Sequence, residues 1–208
     1  MRLNHNDLIL LAESLQELYA ATDAEKLPSV IISILAILVP STSASYNEIG
    51  PEGRQLVTMI VPHLTNLEKR LPHLIPVFHE HPVVQHFHKT GSMEPFKFTD
   101  FFSKAQFHET AIYNEFYRYY NIQDQISFFF GKSHQHNVAM AINRDRANFS
   151  SRDRELLKLL RPHLSQAMSN ALAFGEARSN EKLSSEACWR RGQSLVWVDF
   201  EGVLATSS

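Results

Sequence analysis

Cysteine is nearly absent from this chain. Its 208 residues include one, Cys188, which excludes an intrachain disulfide framework and any multi-cysteine zinc site within one chain. Such usage fits a reducing compartment, so a cytoplasmic location is expected. Long apolar runs are absent too. The longest, Val30 to Val39, is interrupted by Ser33 and closed by Pro40, too short to span a bilayer. In the N-terminal MRLNHNDLILLAESLQELY, acidic Asp7 and Glu13 flank the apolar run, which does not read as a signal peptide. Charge of one sign is also lacking. The 20 Lys and Arg against 22 Asp and Glu leave a net charge of −2, and no segment carries the basic stripe that tracks a phosphate backbone. Arg190 and Arg191, beside Trp189, are too few to make a groove. No G-x-S-x-G, P-loop, internal repeat or low-complexity segment occurs.

What is present is a regular alternation of helical and extended patterns. Asn4 to Ala21 has Leu8, Leu11, Leu15 and Leu18 at helical spacing, with Glu13, Gln16 and Glu17 between them. A second, nearly all-apolar helix is expected from Ala24 to Val39, with Pro28 near its start and Pro40 as its stop. Ser43–Ile49 and Gln55–Val61 read as a hairpin around Gly50, Pro51 and Gly53. Leu64 to Glu80 reads as helix, bent at Pro72 and Pro76. A short helix over Val83–Lys89 ends near Gly91. Phe96–Phe101 reads as a short strand or turn, and Ser103–Tyr119 as one or two aromatic-rich helices. Asp124–Gly131 and Asn137–Asn143 form a second expected hairpin, turning at Ser133–His136.

Ser150 and Asp153 form an S-x-x-D capping box. Behind it Leu157, Leu160, Leu164, Ala167, Met168 and Ala171 make a seam expected to reach Phe174, kinked at Pro162. The small residues after the kink admit close helix approach. Leu164, Ala167, Met168 and Ala171 are therefore a candidate dimer contact, with packing on the chain's own core as the alternative. Glu176–Glu186 reads as a hinge or charged helix end, and Ser194–Thr206 as a terminal hairpin.

This order of elements is that of GAF-like sensor domains. HPVVQHFHKTG (81–91), FTDFFSKAQFHETAIYNEFYR (98–118) and FSSRDRELLKLLRPHLSQAMSNA (149–171) resemble the N-terminal domain of a group of bacterial LuxR-type transcription regulators. The resemblance covers most of residues 5 to 205. It implies an α/β (α+β) fold: a GAF-like antiparallel sheet flanked by helices, with a long kinked C-terminal helix and a terminal β-hairpin. Residues 1–175 are the expected sensor domain and 176–208 the connector. In the resembling family the hairpin leads to a helix-turn-helix domain. This sequence offers no recognition helix, so no direct nucleic-acid contact is expected from it.

Eleven histidines raise the possibility of a metal site. His79/His81, His86/His88 and His134/His136 are spaced i, i+2, which places both rings on one side only in an extended segment. Solvated or capping histidines are the competing reading, and no metal or cofactor is expected. His108 and Glu109, with Tyr113 about one turn on, read as a polar anchor at a pocket edge or as solvated helix positions. No nucleophile accompanies them, so no catalysis is expected. Cys188 has no flanking signature.

The chain has fourteen phenylalanines and six tyrosines, many of them between Phe96 and Phe130. Aromatic walls with a few polar tips suit a small-molecule pocket, though aromatics also simply fill cores. Phe128, Phe129 and Phe130 must point to both sides of a strand. In GAF-like folds the ligand lies between the sheet and the connecting helices. By position, the resemblance implies Tyr46, Phe78, His108, Tyr113, Phe116 and Phe128 as lining. The expected function is ligand sensing and dimerisation, with a small molecule and a second copy of the chain as partners and no membrane. The alternatives are a structural dimerisation module without ligand, and a histidine-based metal protein or enzyme.

Overall fold

Strand alternation and two antiparallel hairpins build the centre of the molecule. The computed structural model describes residues 3–50, 55–133, 136–146, 149–190, 196–198 and 204–206. Strands β1 (Ser43–Ile49), β2 (Gln55–Val61), β3 (Phe96–Lys97), β4 (Asp124–Ser133) and β5 (His136–Arg144) form one antiparallel sheet in the order β2-β1-β5-β4-β3. Both expected hairpins are present. The tips assigned to Pro51, Gly53 and His134 lie outside the described residues. β4 and β5 run slightly further toward each other than the turn signals suggested.

One face of the sheet carries Ala44, Tyr46, Ile126, Phe128, Phe130, Val138, Met140 and Ile142, which enter the largest core. A bulge interrupts the β4–β5 pairing beside it. Phe129 pairs with Ala139 and Gly131 with Val138, so Phe130 is the extra residue. Phe128 and Phe130 reach the main core, while Phe129 turns to the other side and stacks on Phe87 with centroids 3.9 Å apart.

Three helices cover the core face. α1 (His5–Ala20) begins with a full capping box, in which Asn4 Oδ1 accepts the Asp7 backbone N–H at 2.9 Å and Asp7 Oδ2 accepts that of Asn4 at 3.0 Å. Its buried stripe is Asp7, Leu11, Ser14 and Leu18. Leu8, expected in that stripe, is instead 50% exposed, because the helix turns Asp7 inward to meet Arg152. α2 (Leu27–Leu38) buries six of its apolar residues and ends before Pro40.

The second face is covered by α3 (Leu67–Val77), α4 (Pro82–Thr90), α5 (Lys104–Glu109) and α6 (Ala111–Glu115). Pro72 and Pro76 lie inside α3 on its exposed side, where carbonyls freed from the ladder can reach water. Gly91 closes α4 at φ 69°, in the left-handed region that glycine tolerates.

α7 (Ser151–Arg190) starts where the sequence placed it. The Ser150 N–H donates to Asp153 Oδ2 at 2.9 Å, and Asp153 N–H to Ser150 Oγ at 3.1 Å. Arg144 Nη1 lies 3.0 Å from Asp153 Oδ2, and Arg152 Nη2 lies 2.7 Å from Asp7 Oδ1. The helix continues past Phe174 to Arg190. Nine of residues 176–190 are Glu, Ala, Arg, Lys or Leu, all good helix formers, so the stretch extends the helix rather than forming a hinge. Beyond it, β6 (Val196–Val198) and β7 (Leu204–Thr206) pair antiparallel as expected of the terminal hairpin, whose turn lies outside the described residues.

The α7 seam packs within the chain, the alternative reading of those residues. Leu164, Ala167, Met168 and Ala171 are buried within this single chain, at 0–2% exposure, among the residues of the main core. The small alanines admit the chain's own sheet and helices. Among the described residues, no helix is long and apolar enough to cross a membrane.

The orientation of α7 gives a direct contrast between adjacent leucines. Leu160 is fully buried and Leu159 is 43% exposed. Leu160→Ala is expected to cost about 2–5 kcal/mol and Leu159→Ala no more than about 0.5 kcal/mol, read by urea denaturation at pH 7.

Candidate functional site

On the second face, the sheet presents polar and small side chains where a packing core would place large ones. The register sets three rows. Ser43, Asn143 and Gln125 form the first; Ser45, Ala141 and Ser127 the second; Asn47, Ala139 and Phe129 the third. All but Ala141 are buried. The middle row has no side chain larger than serine across three adjacent strands. The helices above it cannot descend far enough to fill the gap, and a cavity results.

The cavity has a volume of about 60 Å³, against about 10–15 Å³ for a single water, so there is room for a compact molecule. Its floor is Ser45, Asn47, Gln125, Ser127, Ala141 and Asn143. Its walls are apolar: Ile60 on β2, Leu71 and Leu74 on α3, Phe78 after it, Val83 and Val84 on α4, and Phe116 and Ile122. No Asp, Glu, Lys or Arg lines it among the described residues.

The polar groups of the floor mostly satisfy one another. His81 Nε2 lies 2.7 Å from Gln125 Oε1. The other ring nitrogen, Nδ1, accepts from Val84 N–H at 3.4 Å and caps α4. These two bonds place the proton on Nε2 and leave the ring neutral. Gln125 Nε2 then donates to Asn143 Oδ1 at 2.7 Å and Tyr117 Oη at 3.2 Å. Asn143 Nδ2 donates onward to Ser43 Oγ at 3.1 Å. Asn47 Nδ2 donates to Ser45 Oγ at 3.0 Å. Burial pushes the His81 pKa down to about 4 and raises that of the Tyr117 phenol, so both are uncharged at neutral pH. One group is left over. Ser127 Oγ is buried, lines the cavity, and has no hydrogen-bond partner.

Of the six residues expected to line a pocket, Phe78, Phe116 and Phe128 border this cavity and three do not. Phe78 and Phe116 are wall residues. Phe128 borders it from within the sheet, since its ring belongs to the core on the other side. Tyr46 lies in that same core and donates its hydroxyl to Glu48 at 2.9 Å; strand alternation turns it away. His108 and Tyr113 stack on each other with centroids 4.2 Å apart, and His108 Nε2 meets Gln123 Oε1 at 3.1 Å. Their pairing holds them outside the cavity. The floor residues went unnoticed in the sequence. Their signal was the polar phase of the strands, Ser43-x-Ser45-x-Asn47 and Gln125-x-Ser127, which ordinarily marks a solvated face.

The histidine pairs do not converge. His79 Nδ1 lies 2.9 Å from the Pro76 carbonyl, and the His86 ring packs on Phe96 and Phe101. His134 and the Cys188 side chain lie outside the described residues. Among the described residues, no group of three or more His, Cys, Asp and Glu is placed to hold a metal ion.

No family model matches this chain, and no curated protein matches it. Solved structures do. The ligand-binding domain of VqsR from Pseudomonas aeruginosa is similar at a TM-score of 0.60 and 18% identity, over 78% of this chain and 96% of that one. CepR2, an N-acylhomoserine lactone dependent LuxR family transcription factor from Burkholderia cenocepacia, is similar at 0.50 and 15%, over 79% and 92%. The GAF domain of a phosphoenolpyruvate-protein phosphotransferase from Coxiella burnetii is similar at 0.55 and 16%, over 82% and 97%. Identities this low establish the fold and nothing finer: the chain has the GAF-like α+β fold.

The buried histidine makes a pH-dependent contribution to stability. The folded pKa, about 4, lies below the ordinary value near 6.5, so the unfolded chain takes up the proton first. The contribution is complete above pH 6.5 and is lost as pH falls to about 4. It amounts to about 3 kcal/mol. In urea melts, the stability advantage of the wild type over His81→Asn, which keeps a capping side chain, is expected to shrink by about that amount between pH 7 and 4.

Proposed function

We propose that this chain is a ligand-sensing and dimerising regulatory domain of a LuxR-type transcription regulator, working in the cytoplasm and performing no catalysis. Residues 1–175 are the sensor and 176–208 the connector. One observation carries the reading: a cavity between sheet and helices whose polar floor is internally satisfied except for the Ser127 hydroxyl. A domain with only a scaffolding role gains nothing from that void, which forfeits packing contacts. The described neighbours agree in kind, since one is named as a ligand-binding domain and another as N-acylhomoserine lactone dependent.

A molecule seated there touches the sheet on one side and α3, α4 and the Phe116 turn on the other. It stabilises the arrangement that closes around it, by an amount set by its affinity for that arrangement over the alternatives. β5 offers a route toward the output helix. Asn143 belongs to the cavity floor, and its neighbour Arg144 holds Asp153, the capping-box partner of Ser150 at the start of α7. With the Leu164–Ala171 seam occupied internally, a dimer contact on α7 falls to exposed apolar side chains such as Leu159 and Phe174.

The test is retention of a small molecule. Purified protein is equilibrated with a bacterial metabolite extract, re-isolated and denatured, and the released compounds are identified by mass spectrometry. The wild type is expected to release a compound that Ala141→Leu, which fills the row between Ser45 and Ser127, does not. Release of nothing by the wild type, or of the same compound by a folded Ala141→Leu variant, contradicts the reading.

A further inference from the structure

The ligand's chemical class can be narrowed by asking which hydrogen-bonding groups the cavity leaves unused. The inference rests on the cavity being the ligand site. Every floor amide nitrogen already donates within the protein: Gln125 to Tyr117 and Asn143, Asn143 to Ser43, Asn47 to Ser45. The hydroxyls are used less. Ser45 Oγ and Tyr117 Oη each accept an amide N–H, and an accepting hydroxyl keeps its own hydrogen for donation. Ser127 Oγ has no partner at all. In register, Ser45 and Ser127 flank Ala141 on adjacent strands, so two of these hydroxyls stand on either side of the smallest point of the floor.

Charge provides the second constraint. Among the described residues, no carboxylate, ammonium or guanidinium lines the cavity. Both bonds of His81 fit a neutral ring, with one nitrogen accepting and the other donating. An anion placed here loses its water and finds no cation, and a cation finds no carboxylate. Either is a buried unpaired charge, which costs several kcal/mol. The walls, from Leu71 and Leu74 through Phe78, Val84 and Phe116, match an apolar body.

We propose that the site takes a compact, uncharged molecule whose carbonyl-type oxygen accepts a hydrogen bond from Ser127, with its apolar part against α3 and α4, and that it rejects carboxylates, phosphates and ammonium ions of the same size. Ser127 is the anchor because, among the described residues lining the cavity, it alone has a buried side-chain oxygen with no partner. A bound acceptor oxygen supplies the missing partner.

Acetophenone, benzoate and benzylammonium serve as matched probes, being nearly equal in size and differing in charge at the polar end. Each is titrated by ligand-observed NMR at pH 7 into the full chain and into Ser127→Ala and Ser127→Thr. Acetophenone is expected to bind at least about tenfold more tightly than either ion. Ser127→Ala is expected to weaken it about tenfold, the effect of one lost hydrogen bond of ordinary strength. Ser127→Thr, which keeps the hydroxyl, is expected to recover most of that loss. The ligand-free Ser127→Ala protein is expected to melt no lower than the wild type, since the hydroxyl it removes has no partner to lose. The proposal is overturned if benzoate or benzylammonium binds as tightly as acetophenone, if Ser127→Ala leaves acetophenone binding unchanged, or if acetophenone does not bind. The extract experiment separates these failures from failure of the site itself. An ionic compound retained by the wild type and lost from Ala141→Leu sinks the ligand class and leaves the site standing. Retention of nothing sinks the site.

Discussion

The hydrogen bond between His81 and Gln125 joins the helical wall to the sheet, and the order of the whole polar floor follows from it. Gln125 has one acceptor and two donors, and it is buried at the end of a central strand. With the His81 N–H fixed on Oε1, both amide hydrogens must point toward Tyr117 and Asn143. Asn143 is thereby oriented and donates to Ser43. His81 can act this way because its other nitrogen is occupied capping α4. One ring therefore sets the start of a helix, the tautomer of a histidine and the orientation of two amides. Each buried amide left unpaired costs about 1–3 kcal/mol, so the arrangement forms completely or at considerable cost.

The same alternation that buries this floor carries the contacts of the opposite face. Asp124 and Gln125 are neighbours on β4, and Asn143 and Arg144 on β5, with Gln125 facing Asn143 and Asp124 facing Arg144 in register. One row belongs to the cavity. The next belongs to the foundation of α7, where Arg144 meets Asp153 and Arg152 meets Asp7. Arg144 also donates to the Pro40 carbonyl and lies over the Phe149 ring. The α7 N-terminus is thus tied to α1, to the end of α2 and to the sheet within one small region. A shift of β5 by a fraction of an ångström reaches both the cavity and the base of the long helix, because they share consecutive residues of a stiff strand.

The elements were legible in the sequence because their signals are local. The Ser150 capping box, prolines, Gly91 and the β-rich runs placed both hairpins and most helix starts to within a few residues, though not the break between α5 and α6 inside Ser103–Tyr119. The pocket was only half legible, and the reason is physical. β1 reads Ser43-Ala-Ser-Tyr-Asn-Glu-Ile49, in which either phase can face a cavity. Tyr46 attracts attention as an aromatic, yet the resident phase is Ser45 and Asn47, because Tyr46 is needed beneath α2 and α7. Likewise His108 and Tyr113 satisfy each other by stacking, a contact across a helix boundary that spacing does not reveal. The Leu164–Ala171 seam was legible as a contact surface but not as to its partner. Small residues permit close approach by anything, and here the chain's own sheet occupies that space.

The middle row of the floor bears most directly on what the cavity is for. Ser45, Ala141 and Ser127 occupy adjacent central strands, where β-branched residues both favour the extended backbone and fill volume. Valine at Ala141 and Ser127 satisfies the strands, removes a hydroxyl that has no partner, and brings the walls into contact with the floor, while Ser45 keeps its bond from Asn47. Nothing in the packing of the sheet opposes that change, since the core on the far side is built from the other phase. The void and the unmet hydroxyl are thus local departures from what stability alone favours, confined to one row of one face. Local departures of this kind are expected where a site is kept for a partner that the folded chain does not itself contain.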